Sequence, residues 1–411
     1  MRSLTINIQQ SLKYVLLFLL GVNFGNKFYY IVPLFIIIVL LQDGKTLLSK
    51  KICKRFLVLL IFSIIYLYGI FRGNNTDLTK IIVYMSFPFM YLVGYFFKTC
   101  NEQWKASALT LIVGLACHGV LNLVTNSAIL LGGAGTRSTI DFWTKSEWIM
   151  TGQISLFILI SGCAYYIFFS MSKRKNVILK PILMILLILG LIYNVLGATR
   201  TVVYACVLDM VICIFISLWK KRKNATKLFK YTLGIAFVIF CLWGMYTLNI
   251  FNIRTIMEST PLFQRIERLN TVSNLTNERQ EQVYLALMQL FDYPLGGYKM
   301  NFPGMGRIDF IHNTWLNIAY AAGYVSCVVF LLFCFLEVKD CIAILKKDTE
   351  NNAVFVCGIF IVAMIYMYLE PVCEAVPSFI TIFCFICGRI SYRVEYVKNK
   401  ERNACEDERG D

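Results

Sequence analysis

Histidine is nearly absent from this chain: His118 and His312 are the two in 411 residues. With so few imidazoles and no other ligand spacing, the sequence offers no metal site. Cys384-Phe-Ile-Cys387 falls inside an apolar run and reads as helix packing rather than a redox or metal pair. The 15 cysteines are scattered through apolar runs and basic loops, with none between Phe251 and Ile311, so no disulfide framework is implied. Acidic residues are also scarce, 24 against 40 Lys+Arg. No internal repeat, low-complexity tract or flexible linker divides the chain, which disfavours a transporter built from paired halves. A cleavable signal is missing too. The first apolar stretch, about Leu12 to Phe24, has no small-residue cleavage site and reads as a retained span.

Apolar residues fill the space left by these absences, at 58% of the chain. Runs of roughly 17–25 apolar residues recur, the length a helix needs to cross about 30 Å of hydrocarbon. Backbone groups in lipid must pair within their own segment, so such runs are helices. The expectation is an all-α polytopic membrane protein with about twelve transmembrane helices. They are placed at 9–25, 28–42, 56–71, 80–97, 106–124, 148–170, 181–197, 201–219, 231–250, 314–336, 353–371 and 377–393. The division is 1–250 (N-terminal helices), 251–313 (one large external loop), 314–393 (C-terminal helices) and 394–411, a charged tail expected to be disordered.

A net charge of +16 would suggest nucleic acid in a soluble chain. Here most Lys and Arg sit in short loops between apolar runs, where the positive-inside rule accounts for them. With both termini cytoplasmic, the larger share of basic residues lies inside. Lysine dominates there, and arginine is the commoner cation outside. Orientation needs charge alone, whereas a forked guanidinium suits phosphate or carboxylate.

Polar chemistry is concentrated from Arg279 to Gly323. Val283, Leu287, Leu290 and Phe291 suggest the apolar face of a helix capped by Asn277 and ended before Pro294. Arg279 in its first turn opposes the helix dipole, which is sensible if an anion binds there. The plainer reading is an arginine snorkelling to lipid headgroups. The loop as a whole is too small for its own core, so it should pack on the membrane face and cap a cavity. Arg200, in Leu196-Gly-Ala-Thr-Arg-Thr201, marks the external break of a helical hairpin and is either a functional cation or an interfacial anchor. Asp209 lies about 13 Å deeper on the same helix. His312 opens the helix after the large loop, and a neutral imidazole there can take a proton from a hydroxyl. Asn313 follows it. His118, with Asn122 one turn on, reads as helix–helix hydrogen bonding. Glu370 and Glu374 bracket Pro371 and would balance the arginines or supply an acid.

Thr199-Arg200, Arg279, Pro294-Leu-Gly-Gly297 and His312-Asn313-x-x-Leu316 with Gly323, in that order, resemble the O-antigen ligase and polymerase superfamily. Its members are bacterial membrane glycosyltransferases of surface polysaccharides. The likeness covers roughly residues 181–326, with Val283 and Ser326 departing from the usual pattern. It implies a multi-pass protein of the bacterial plasma membrane, an undecaprenyl-pyrophosphate-linked oligosaccharide as donor, and no metal or other cofactor. By that resemblance Arg200 and Arg279 hold the pyrophosphate and His312 activates the acceptor hydroxyl. Arg137 and Trp143 lie in a loop that helps to bind glycan in relatives, and Asn313, Glu370 and Glu374 are secondary candidates. A chain-length regulator and a flippase of the same pathway are candidate partners, and nucleic acid is not one. The expected activity is polymerisation of lipid-linked repeat units. The alternatives are a ligase passing glycan to lipid A core, a flippase or transporter of lipid-linked oligosaccharide, and an assembly partner without catalysis.

Overall fold

A computed structural model describes residues 8–43, 50–73, 77–97, 101–131, 140–145, 240–264 (242 excepted), 267, 274–305, 308–347 and 351–407, with scattered positions between 181 and 215. The described residues are all-α and contain no β-strand. The helices are α1 (Ile8–Val22), α2 (Phe28–Asp43), α3 (Lys50–Arg72), α4 (Thr79–Phe96), α5 (Asn101–Thr125) and α6 (Ser127–Leu131). After these come α7 (Ile253–Glu258), α8 (Asn274–Met288), α9 (Thr314–Ala322), α10 (Tyr324–Lys347), α11 (Asn351–Leu369), α12 (Val372–Ala375) and α13 (Pro377–Asp407). The expected span at 148–170 lies wholly outside the described residues, those at 181–197 and 201–219 mostly, and that at 231–250 by half; Arg137 and Arg200 lie outside them too.

The core is a bundle in which α4 lies between α3 and α13, α10 packs on α3 and α13, and α1 lies along α5. Small residues set the closest crossings. A Cβ on Gly94 would overlap the backbone of Phe385, and one on Gly21 would overlap that of Leu111 and Gly114. Such contacts let helices approach closely and gain dispersion energy at short range. An aromatic column fills the interior: Phe62 stacks on Phe330 at 4.6 Å between centroids, and Tyr66 meets Tyr84 edge-on at 4.9 Å.

Among the described residues, two helical segments, Lys54–Arg72 and Thr79–Phe96, are long and apolar enough to cross a membrane, and 11–22, 28–39, 109–125 and 356–369 are shorter apolar helices. The bundle also wears its apolar residues outside. Tyr30, Leu34, Ile37 and Leu41 on α2, and Leu57, Ile61, Ile64 and Tyr68 on α3, are exposed at i, i+4, i+7 and i+11. In helix α10, Glu337, Lys339 and Asp340 interrupt the apolar run.

Two of those residues hold the far end of the bundle together. The buried Arg55 of α3 places Nε 2.9 Å from Glu337 Oε1 and Nη1 2.8 Å from Asp340 Oδ2. Its Nη2 donates to the Leu336 carbonyl at 3.0 Å, and Nη1 donates to Ser391 Oγ of α13 at 3.3 Å. Tyr91 of α4 donates to the same Ser391 hydroxyl at 3.1 Å. Four helices thus meet on one guanidinium and its neighbours.

Three expectations need correction. The stretch 314–336 is not one continuous helix but α9 and α10, broken at Gly323. Helix α8 starts at Asn274, ahead of the expected cap Asn277, and ends at Met288. The tail is helical through Asp407 rather than disordered. Its lysines, arginines and glutamates are good helix formers, and it continues a helix already nucleated in the bundle.

Arg55→Met removes the cation that Glu337 and Asp340 share, and is expected to destabilise the fold by roughly 3–5 kcal/mol. The check is the melting temperature of the detergent-solubilised protein, which should fall. An unchanged value would mean that the cluster does not stabilise the bundle.

Candidate functional site

Backbone meets backbone where α9 gives way to α10. Gly323 at the break has φ +93°, while Gly296 and Gly297 in the facing turn have φ +36° and +99°. A Cβ on Gly296 would overlap Ala322 and Gly323, and one on Gly323 would overlap Pro294 and Gly296. Only glycine combines that approach with those torsions. Ending α9 leaves carbonyls without intrahelical partners. The turn supplies donors: Gly297 N–H to Ala321 O at 2.9 Å and Tyr298 N–H to Tyr320 O at 3.0 Å. On the other side, Tyr324 N–H donates to Tyr293 O at 3.2 Å. The Pro294–Gly297 motif and Gly323, separate in sequence, are two halves of one joint.

The joint fixes α9, and α9 fixes His312. Asn313 caps the helix, its side-chain oxygen accepting from Leu316 N–H at 3.1 Å while its amide donates to Tyr368 O at 3.1 Å. Thr314 Oγ1 donates to the Glu370 carbonyl and accepts from Val372 N–H at 3.0 Å. These contacts strap the start of α9 to the segment joining α11 and α12. His312 Nδ1 consequently lies 3.2 Å from Glu370 Oε2. The carboxylate side chain is buried, whereas the imidazole keeps 24% exposure. An ionised carboxylate at Nδ1 accepts its N–H, which leaves the Nε2 lone pair directed away from Glu370. The structure thus seats Glu370, singled out in the sequence beside Pro371, against the imidazole.

Glu374 builds a second polar group beside the first. Its Oε1 accepts a short hydrogen bond from Tyr298 OH, and its Oε2 lies 3.5 Å from Asn317 Nδ2. Loss of solvation raises the Glu374 carboxyl above the usual glutamate range, against the opposing pull of the Tyr298 hydrogen bond and of Lys80. Tyr298 itself sits at φ +57°, an unusual torsion for a non-glycine residue, held by its backbone bond to Tyr320 and its hydroxyl bond to Glu374. Tyr298, Asn317, Thr314 and Lys80 were not anticipated. The one available signal was Asn317, a second amide one turn after Asn313 in an otherwise apolar helix.

The remaining candidates are placed differently. Arg279 is exposed and sits in the second turn of α8, not the first, which weakens the helix-terminus argument for it. It shares a stripe with Val283, Ala286 and Leu290 at i, i+4, i+7 and i+11; Ala286 is fully buried, and Val283 and Leu290 pack against the core. Leu287 and Phe291, expected on the same face as Val283, are exposed on the other. The end of α8 is tied down by Gln289, whose amide exchanges hydrogen bonds of 2.7 and 2.8 Å with the backbone of Asn301. Among the described residues no hydrogen bond or ion pair joins Arg279 to His312 or Glu370.

Trp143 packs at the end of α1, donating Nε1–H to Val22 O at 3.1 Å and meeting Phe24 edge-on at 5.1 Å. Nearby, His118 Nε2 lies 3.1 Å from Asp141 Oδ1, outside the helices. Burial pushes the Asp141 carboxyl up. His118 and the N–H groups of Thr144 and Trp143 outweigh that and hold it below the usual range. Among the described residues, no three His, Cys, Asp or Glu side chains gather where a metal ion could be held. No protein-family model matches this chain, and comparison with curated proteins finds no match.

The raised Glu374 carboxyl has a definite sign. A folded-state value above the unfolded one favours the folded protein at low pH, and that contribution is lost as pH rises through the folded-state value. Glu374→Gln removes this loss. Its melting temperature relative to the unmodified protein should therefore climb as pH is raised from about 4.5 towards 8. A difference independent of pH would refute the assignment.

Gly323→Val adds a side chain against Pro294 at a torsion that L residues avoid, at a cost of at least about 1–3 kcal/mol. Lower thermal stability is expected, read as a fall in melting temperature.

Proposed function

We propose that this protein is a polytopic glycosyltransferase of the bacterial plasma membrane, with about twelve spans and both termini cytoplasmic. It transfers a glycan from undecaprenyl pyrophosphate to the next lipid-linked repeat unit of a surface polysaccharide, on the external face. The observation that carries the catalytic reading is the buried Glu370 carboxylate against Nδ1 of a partly exposed His312, at one end of an apolar bundle. The outward apolar stripes of α2 and α3 support the membrane setting. On the loop-charge bias, the His312 end faces outwards.

In this reading His312 Nε2 takes the proton of an acceptor hydroxyl as its oxygen attacks the anomeric carbon. The bond from that carbon to the pyrophosphate oxygen breaks, and the diphosphate leaves on its lipid. Glu370 keeps the imidazole in the required tautomer and balances the imidazolium charge as it forms. Arg279 and Arg200 would neutralise the leaving diphosphate, where negative charge develops. Arg279 fits this role by lying on the core-facing stripe of α8. Attack from the side opposite the leaving group inverts the anomeric centre.

The test is complementation of a deletion strain with His312→Ala, followed by gel analysis of surface polysaccharide. Loss of a general base should slow transfer by about 10²–10⁴-fold, enough to abolish long chains. Single repeat units on the carrier or its final acceptor indicate a polymerase. Long glycan stranded on undecaprenyl carrier indicates the ligase alternative. Normal polymer would refute catalysis by His312.

A further inference from the structure

Helix α8 carries apolar residues on two faces, and the interior takes up one of them. Val283, Ala286 and Leu290 face the core. On the other side Tyr284, Leu287, Met288 and Phe291, at i, i+3, i+4 and i+7, are 60%, 52%, 65% and 73% exposed. All four lie in the C-terminal half of the helix and the turn after it, whereas the N-terminal half reads Asn-Leu-Thr-Asn-Glu-Arg-Gln-Glu-Gln. A strip this apolar is costly in water and would mark a contact surface on a soluble protein.

What covers it is indicated by continuity. The Phe291 ring meets Tyr324 edge-on, with centroids 5.4 Å apart. Tyr324 opens α10, whose Val328, Leu331, Leu332 and Phe335 continue the same outward line and are 54%, 44%, 49% and 67% exposed. The exposed strip of α8 therefore runs without a break into the apolar flank of the bundle. We propose that α8 is an interfacial helix, its C-terminal half pressed into the acyl–headgroup boundary of the bilayer and its N-terminal half in the phosphate layer. This rests on the membrane reading above but not on the catalytic one.

The arrangement gives Arg279 a height as well as a face. It stands five positions before Tyr284, about 7.5 Å along a helix rising 1.5 Å per residue. With the axis inclined so that the apolar strip sinks about 5–10 Å into the boundary, that exposed guanidinium lies level with lipid phosphates, in line along the helix with Val283 and Ala286. A lipid-linked diphosphate whose tail stays in the bilayer has its anionic group at the same level. Helix α8 would thus set the depth at which substrate is read, and the bundle would set its direction.

The experiment places p-azidophenylalanine at Tyr284, Met288 and Phe291, couples it to a nitroxide and reconstitutes the full chain into liposomes of phosphatidylethanolamine and phosphatidylglycerol. Power saturation then compares collisions with oxygen and with a water-soluble nickel chelate. Labels at Leu331 and Phe335 report the bundle flank, and a label at Arg254, on exposed α7, reports water. The expected result is an oxygen-to-nickel ratio at Met288 and Phe291 close to that at Phe335, well above that at Arg254, with Tyr284 between. Nickel accessibility at Met288 and Phe291 equal to that at Arg254 would overturn the proposal. Protection from both relaxants would also overturn it and assign the strip to a protein partner, a second copy of this chain included. Aqueous behaviour at Leu331 and Phe335 as well would instead bring down the membrane reading.

Discussion

The close approach of the Pro294–Gly297 turn to the end of α9 is the contact on which the candidate site depends. Two backbones can come this near only where both lack side chains, and each supplies the hydrogen bonds that the other's geometry leaves unmade. The break at Gly323 is therefore a built joint. It lets a short helix, α9, stand at one end of the bundle with its N-terminus aimed at the segment between α11 and α12, while α10 continues in its own direction.

From that joint the rest follows by short steps. Thr314 and Asn313 knit the start of α9 to the backbone of Tyr368, Glu370 and Val372. The side chain next in line, His312, is then held beside a carboxylate that the same backbone presents. The groups that hold the ring are buried, whereas the ring itself is partly exposed. Glu374 and Tyr298 extend the polar zone towards α3 and α4, where Lys80 adds a cation.

Much of the helical framework was legible because apolar runs of the right length are hard to build any other way. Helix α2 falls at 28–43 where 28–42 was expected, and α4 at 79–96 where 80–97 was expected. What could not be read were features that depend on a distant partner. A glycine in an apolar run does not announce a break, and Gly323 breaks its helix because Gly296 arrives from elsewhere in the chain. The two faces of α8 are both apolar, so periodicity alone could not say which turns inward. His312 and Glu370 were each singled out, yet they stand 58 positions apart, and nothing local joins them. The tail was misjudged because its charge pattern resembles that of a disordered segment, while its helicity is inherited from the bundle before it.

The Arg55 cluster constrains how such a molecule is made. Glu337 and Asp340 lie at the end of the apolar run of α10, and two buried carboxylates without a cation are costly to desolvate. Their cation belongs to α3, far earlier in the chain. That end of α10 therefore cannot be buried cheaply by itself. It closes only against α3, so the two helices lock as a pair rather than one after the other.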